Sequence, residues 1–371
     1  MSRPLIIQFF LALLVFSSCA QPSPVGPENG SVTYEKVTDG IQNPWGMTWL
    51  PNGDMLVTEK KGEIRIIRQG RLLDESIQGI PDIYVRGQGG LMDIELHPDF
   101  ENNRWLYLSY ASRIGGGSGG NTTIARFKLQ GNRLTSKEVL YKAEPNTTKG
   151  QHFGSRLAFD REGYLYFTVG DRGNRDVNPQ DITRDNGKVY RIHDDGSVPR
   201  SNPFYNQRKA KKAIYSYGHR NPQGLAMDPA TGRIWSHEHG PRGGDEVNVI
   251  DAGKNYGWPI ISYGINYSGT KFAEGTARAG MEQPVIYYVP SIAPCGMTFV
   301  TSDRYPEWKG DLIIGSLKFL YLVRADVEGD TIVAQEKVAD GIGRVRNVEE
   351  GPDGYIYVGI EGQGIYRLIA N

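Results

Sequence analysis

Cysteine is nearly absent: Cys19 and Cys295 are the only two among 371 residues. That excludes a disulfide framework as the source of stability, and no C-x-x-C-H site for covalent haem is present. An excess of one charge is missing too. Lys plus Arg and Asp plus Glu each number 42, for a formal net charge of zero. Without a general field the chain does not attract nucleic acid or an anionic membrane surface, so any basic site has to be local. Long apolar runs are missing beyond the N-terminus, where no segment approaches the roughly 20 residues needed to cross a bilayer. What is abundant is glycine, at 47, and tyrosine, at 21. This mixture suits many short strands and tight turns better than helices.

The N-terminus is the exception. Arg3 precedes the apolar run "LIIQFFLALLVF", and "SSC" follows. This reads as a secretory signal with a small-residue processing site, too short to span a membrane comfortably. Residues 1–18 resemble a bacterial lipoprotein signal, in which Cys19 becomes the lipidated first residue; plain cleavage after a small residue is the alternative. Residues 19–30 look like a flexible tether. The implied protein is exported to the periplasmic side of a bacterial cell envelope, with lipid at Cys19 as its only membrane contact. Cys295 is left without a partner and reads as a buried, inert thiol.

The remaining chain is repetitive. "LPNGDMLVTEKKGEIRII" from Leu50 returns in weaker form from His97, Phe159, Met227, Tyr305 and Gly351. Each copy has an Asp/Asn/Gly/Pro turn followed by a strand of β-branched and aromatic residues, and several add a second strand at hairpin distance. Six such units predict an all-β fold: a six-bladed β-propeller of four-stranded antiparallel blades, occupying residues 31–371. A sandwich would not explain six similar hairpins. "SVTYEKV" from Ser31 is expected to join the blade built around Gly351 and close the ring. Propellers hold ligands over the central channel with loops from different blades, so site residues should be scattered in sequence but recur at similar places in the repeats.

Polar constellations fall at such places. Gln88 lies between glycines before a strand, where a tight turn is the plainer reading. His152 precedes a glycine-serine turn in "QHFGSRLAFD", and an isolated histidine is more often structural than catalytic. "SYGHRNPQGLAMD" sets Arg220 beside Asn221, able to bind an anionic or carbonyl oxygen by directed hydrogen bonds. Lys318 stands in "GSLKFLYL", and Arg344 and Arg346 in "GRVRNVEEGPDG". Alternate strand residues share a face, so the two guanidinium groups point the same way and repel unless an anion lies between them. A solvated strand face is the competing account. The densest stretch is "HEHGPRGGDEVN", His237–Asn248, which crowds two histidines, three acids and an arginine around three glycines and a proline. Backbone that must approach a ligand closely while charged groups are held around it would explain both kinds of residue. Together these features suit a small polyanionic ligand.

"HFGSRLAFD", "GHRNPQGLAMDP", "HEHGPRGGDEVN" and "GKNYGWP" resemble the soluble quinoprotein sugar dehydrogenases, which use pyrroloquinoline quinone (PQQ). The similarity runs from about Asn43 to Leu368 with the motifs in order, and the absence of long inserts looks most like the aldose sugar dehydrogenase branch. The resemblance implies a six-bladed propeller that oxidises the C1 hydroxyl of an aldose to the lactone. It implies that His152 is the general base while hydride passes to PQQ, and that Arg220 stabilises the quinone oxygen. It implies that Gln88, Asn221 and Ser291 contact the cofactor, and that Lys318, Arg344 and Arg346 pair with its carboxylates. The carbonyls of Gly240 and Pro241 would ligate a Ca²⁺, with Asp245 and Glu246 as acids supporting the loop; Glu246 with the Tyr256 carbonyl matches a second Ca²⁺ site. Electrons would pass to an external acceptor. The resemblance leaves a monomer and a homodimer both open.

The sequence departs from the glucose-dehydrogenase pattern where His239 and Arg172 replace glutamines, the latter near the substrate, and where Val289 replaces an aromatic residue flanking the cofactor. Two other classes stay open. His237 and His239 form an H-x-H pair, which with His219, Glu238 or Asp245 would make a metal-dependent hydrolase such as a sugar lactonase. A propeller that binds a protein or glycan without catalysis is the other. Neither explains Lys318, Arg344 and Arg346 beside His152 and Arg220.

Overall fold

A computed structural model describes residues 32–370. The signal, the tether and Cys19 lie outside the described residues. Twenty-four strands form six separate four-stranded antiparallel sheets. Among the described residues, helix is confined to Phe100–Asn103 and a 3-10 turn at Pro306–Trp308. The expected six-bladed propeller is borne out.

Each recurring sequence unit is the same piece of a blade: the turn after the innermost strand, then the second strand. The second strands Met55–Glu59, Leu165–Val169, Ile234–Glu238, Leu312–Ser316 and Ile356–Ile360 are buried along their whole length. Sheet packs on both faces there, so these segments read as near-continuous apolar runs rather than alternating ones. Each fully buried Ile, Leu or Val contributes roughly 1.5–3 kcal/mol. The outermost strand Val32–Thr38 is exposed at four successive positions, and its sequence "VTYEKVT" is correspondingly polar. It pairs antiparallel with Gly364–Ala370. The first described strand thus completes the last blade and closes the ring, as the sequence predicted.

The innermost strands are Pro44–Trp49, Leu91–Leu96, Leu157–Phe159, Pro222–Met227, Pro294–Phe299 and Val345–Glu350. Five of them slip register against their neighbour within their first residues. Such bulges bend a strand and re-aim its side chains. They gather at the N-terminal mouth of the channel, where the polar motifs lie. Arg156 blocks the channel between the mouths. Its guanidinium donates to Trp45 O, Asp93 Oδ1, Gln223 O, Arg346 O and Asn347 Oδ1 at 2.8–3.3 Å, and it lies 3.5 Å from Cys295 Sγ. With its own blade, this one side chain touches all six.

Candidate active site

The site is built from two kinds of segment at the N-terminal mouth: connections into each innermost strand, and turns from the second to the third strand. His152 lies on the connection 143–156. It adopts a left-handed backbone (φ 57°), a geometry rare for a non-glycine residue and often found at functional positions. Its N–H donates to Gln88 Oε1 at 2.7 Å, joining two residues singled out from the sequence. Its Nδ1 lies 2.6 Å from Asp171 Oδ1. Nδ1–H therefore donates to the carboxylate, which leaves Nε2 as the acceptor nitrogen. Burial lowers the imidazole pKa, and the hydrogen bond to Asp171 offsets this only in part, so the ring is held neutral. Burial alone would raise Asp171, but His152 and Arg220 bring it below its ordinary value. A neutral imidazole with an ionised orienting partner is the arrangement a general base requires.

Asp171 lies in the glycine turn "GDRGN", where the sequence alone assigns it no role. Its Oδ2 accepts the Trp258 indole N–H at 2.9 Å, and its backbone N–H donates to Arg220 O at 2.7 Å. The neighbouring Arg172 overturns an expectation. Instead of facing a substrate, it is buried, stacks its guanidinium 3.4 Å from the Phe153 ring centre, and donates to the carbonyls of Lys149, Gln151 and Gly120. Burial lowers its pKa to about 9. Arg172 thus fastens the loop that carries His152.

Arg220 and Asn221 share a carboxylate: both backbone N–H groups donate to Glu238 Oε2, at 2.5 and 3.3 Å. Glu238 Oε1 is bound by His219 Nδ1 at 2.8 Å. Asn221 Oδ1 accepts the Gly154 N–H at 3.1 Å, within the His152 loop. Arg220 Nη1 donates to His239 O at 3.0 Å. The geometry therefore brings Gln88, His152, Arg220 and Asn221 into one network.

The loop "HEHGPRGGDEVN" owes its glycines to close packing. A Cβ on Gly240 would stand 2.3 Å from the carbonyl oxygens of Gly243 and Gly244. Asp245 holds the loop, accepting Gly240 N–H at 2.8 Å, Ser291 O–H at 2.6 Å and Ala293 N–H at 2.8 Å. Ser291 is thereby tied to the Gly240–Pro241 segment. The two histidines do share a face, but His237 and His239 each bind a backbone carbonyl of the next blade, Gly296 O at 3.1 Å and Pro294 O at 2.8 Å. Burial pushes His237 down to about 3 and His239 well below its usual value. Among the described residues no three His, Cys, Asp or Glu side chains converge to hold a metal. The carbonyl edge of Gly240 and Pro241 is of a different kind, since calcium accepts carbonyl oxygens. Two neutral carbonyls bind it weakly, so an anionic co-ligand is required. Glu246 stands directly opposite Glu238 across two strands. Burial, then repulsion from Glu238, raises its carboxyl well above normal. The buried Asn248 Oδ1 nearby has no hydrogen-bond partner among the described residues. Tyr256 stacks on His219 with ring centres 4.6 Å apart. The Glu246 carboxylate and the Asn248 amide are linked, Asn248 Nδ2 donating to Glu246 Oε2 at 3.4 Å, and both supply oxygens of the kind a hard cation takes.

A cavity of about 230 Å³ opens between these segments, lined by Asn43, Trp45, Lys60, Gln88, Gln223, Arg344, Arg346 and Glu361 among others. The anion between the two arginines is Glu361. Arg344 Nε donates to its Oε2 at 2.6 Å and Arg346 Nε to its Oε1 at 2.9 Å. This corrects the sequence argument, because a protein carboxylate relieves the repulsion without a ligand. Two guanidinium groups against one carboxylate leave one positive charge over, and Lys60 adds another. Lys60 Nζ donates to Gly87 O at 3.1 Å and has no ion pair among the described residues. Lys318 stands outside the cavity lining, exposed at the tip of a turn, with Nζ 4.8 Å from the Phe319 ring centre. Its turn still adjoins the site, since Arg344 Nη1 donates to Leu317 O at 3.0 Å. Val289 is exposed at the rim, against Gly243. Sequence reasoning gave no role to Asp171, Trp258, Lys60 or Glu361. Asp171 carried a signal as an acid inside a glycine turn, and Trp258 as part of the motif "GKNYGWP".

Comparison with known proteins agrees with this geometry. A family model described as glucose/sorbosone dehydrogenase matches residues 41–367. Aldose sugar dehydrogenase YliI of Escherichia coli (strain K12) is 40% identical over 356 residues, covering 94% of each chain. The crystal structure of the soluble aldose sugar dehydrogenase from Escherichia coli, in its apo form, superposes with a TM-score of 0.88 at 39% identity, over 92% of this chain and 100% of that one. The PQQ-bound form of aldose sugar dehydrogenase from Streptomyces coelicolor superposes with a TM-score of 0.76 at 27% identity, over 93% and 99%. This chain belongs to the glucose/sorbosone dehydrogenase family.

Proposed function

We propose that the protein oxidises the C1 hydroxyl of an aldose to the lactone, using PQQ and Ca²⁺, and passes the electrons to a separate acceptor. The observation that carries this reading is the juxtaposition at one mouth of a neutral, carboxylate-oriented imidazole with an excess of cations around a cavity. The residues fit a planar polyanion. Lys60, Arg344 and Arg346 offer charge that Glu361 only partly cancels, Trp45 and Gln88 line the same space, and Asn221 adjoins it. When bound, the quinone supplies the hydride acceptor, and the calcium ion polarises it as a Lewis acid.

The chain's own contribution follows from the hydrogen bonds. His152 Nε2 takes the proton from the sugar C1 hydroxyl as the C1 hydride leaves, and Asp171 stabilises the imidazolium that results. Arg220, positioned through Glu238 and His239 O, would present its guanidinium to an oxygen of the bound acceptor. The Gly240 and Pro241 carbonyls, fixed by Asp245 and Ser291, would hold the calcium ion. Lys318 supplies charge from the rim. Glu246, with Asn248 and the Tyr256 carbonyl, would hold a second, structural cation. Export and lipid attachment at Cys19 belong to the same proposal, and radiolabelled palmitate incorporation that disappears in Cys19→Ala tests them.

The functional test is reconstitution. Protein purified without cofactor should reduce a dye with aldoses only after both Ca²⁺ and PQQ are added. Activity without PQQ, or none with both present, would overturn the assignment.

A further inference from the structure

Between the two side chains assigned to chemistry stands a third that has no part in the reaction as written. Trp258 lies on the long connection 251–285, in the motif "GKNYGWP". Its indole N–H donates at 2.9 Å to Asp171 Oδ2, the carboxylate oxygen that does not serve His152. Its ring lies 5.3 Å from the Arg220 guanidinium. Three contacts fix it: backbone N–H to Gly218 O at 2.9 Å, backbone O from Gln180 Nε2 at 2.8 Å, and the Phe272 ring, edge-on at 5.2 Å. An ordinary core tryptophan would account for the burial, at 7% exposure. It would not account for where the N–H goes. The indole N–H of Trp235, which is fully buried, has no partner among the described residues, so packing here does not demand that an indole be satisfied.

We propose that Trp258 is a positioning residue that clamps Asp171, and through it the His152 ring, in fixed relation to the Arg220 guanidinium. The proposal rests on the roles given above to His152 and Arg220. One side chain then sets the geometry of both the base and the oxyanion partner, and the connection 251–285 is part of the site rather than decoration of a blade. The physical consequence is electrostatic. A donor on Oδ2 draws charge away from the oxygen that faces His152; without it, that charge acts more strongly on the imidazolium. The other charged groups facing His152 are Arg220 and Arg172, and neither is touched by a change at the indole nitrogen.

The test is the titration of His152 followed by NMR in cofactor-free protein, where six histidines make assignment tractable. Trp258→Phe keeps an aromatic ring beside Arg220 and removes the N–H. The expected result is a rise in the His152 midpoint of about half a pH unit, the scale of one hydrogen bond to a charged group shared between two acceptors. Phe272→Leu, which alters the packing on the indole but not its N–H, should leave the midpoint where it is. In reconstituted protein, Trp258→Phe should move the acid limb of kcat/KM upward by the same amount. If Trp258→Phe does not fold, replacing Trp258 with benzothienylalanine keeps the shape and removes only the N–H. An unchanged His152 midpoint in a folded variant would overturn the proposal. Failure of the quinone assignment would show separately, as wild-type protein that PQQ does not activate, while the NMR comparison would still stand.

Discussion

The two mouths of the channel are made from the same six strands, yet one is lined by cations and the other by carboxyl groups. At the N-terminal ends of the innermost strands the cavity is lined by Lys60, Arg344 and Arg346. At the C-terminal ends a second cavity, of about 340 Å³, is lined by Glu95, Glu349 and Glu350 among apolar residues such as Met227, Met297 and Phe299. Arg156 and its partners separate them. A formal charge of zero therefore conceals an uneven distribution, and position in the repeat, not composition, decides which end gathers the cations. The acidic mouth also shows what the basic one escapes. Burial and the nearby Asp93 push Glu349 up to about 8, and burial, Glu349 and Asp93 push Glu95 well above its ordinary value. At the basic mouth, Glu361 removes the corresponding repulsion. Burial raises its carboxyl, but Arg346 and Arg344 more than offset that.

The comparison can be broken at its centre. Arg156→Met removes the partner of Asp93, both nearly inaccessible at 3% and 8% side-chain exposure. Leaving that carboxylate uncompensated should cost about 3–5 kcal/mol, read as a large fall in the denaturation midpoint and loss of both mouths together. His152→Ala acts at one mouth only. Turnover should fall by roughly 10²–10⁴-fold, the span of general-base contributions, with PQQ affinity nearly unchanged. Full activity would remove the base assignment.

Smaller changes sharpen the contrast. Lys60→Ala or Arg346→Ala should weaken PQQ binding by about tenfold, in line with one charge-assisted contact, while Glu349→Gln should leave it unaltered. The last variant has its own signature. A carboxyl whose folded pKa is raised supports the fold below its unfolded pKa, and that support is lost as pH rises through the folded value, here from about 4.5 to about 8. Wild-type stability should decline across this window, and Glu349→Gln should flatten the decline. Because Glu349 keeps partial contact with solvent in its cavity, the gain in midpoint at pH 8.5 should be a few degrees at most.

The sequence revealed the fold because each turn-and-strand unit is local. "LPNGDMLVTE" and "GPDGYIYVGI" make the same turn and the same buried second strand wherever they occur. Half of the site was legible for a similar reason: Gln88, His152, Arg220 and Asn221 lie in motifs whose glycine and proline spacing betrays a special backbone. The rest depends on contacts between blades. Glu361 is an unremarkable acid in a hairpin turn until the fold sets it between Arg344 and Arg346. Lys60 reads as one of two lysines in a turn, and Trp258 as core, until each meets a partner distant in sequence. Arg172 shows the converse, since its charge suggested a ligand and its actual partners are three backbone carbonyls.

We propose that the basic mouth, and not the acidic one, holds the cofactor. Calorimetric titration of PQQ into calcium-loaded protein tests it directly, run in parallel on wild type, Arg346→Ala and Glu349→Gln. One binding event per chain is expected, weakened in Arg346→Ala and matched to wild type in Glu349→Gln. No binding to wild type, or equal weakening by the two substitutions, would contradict it.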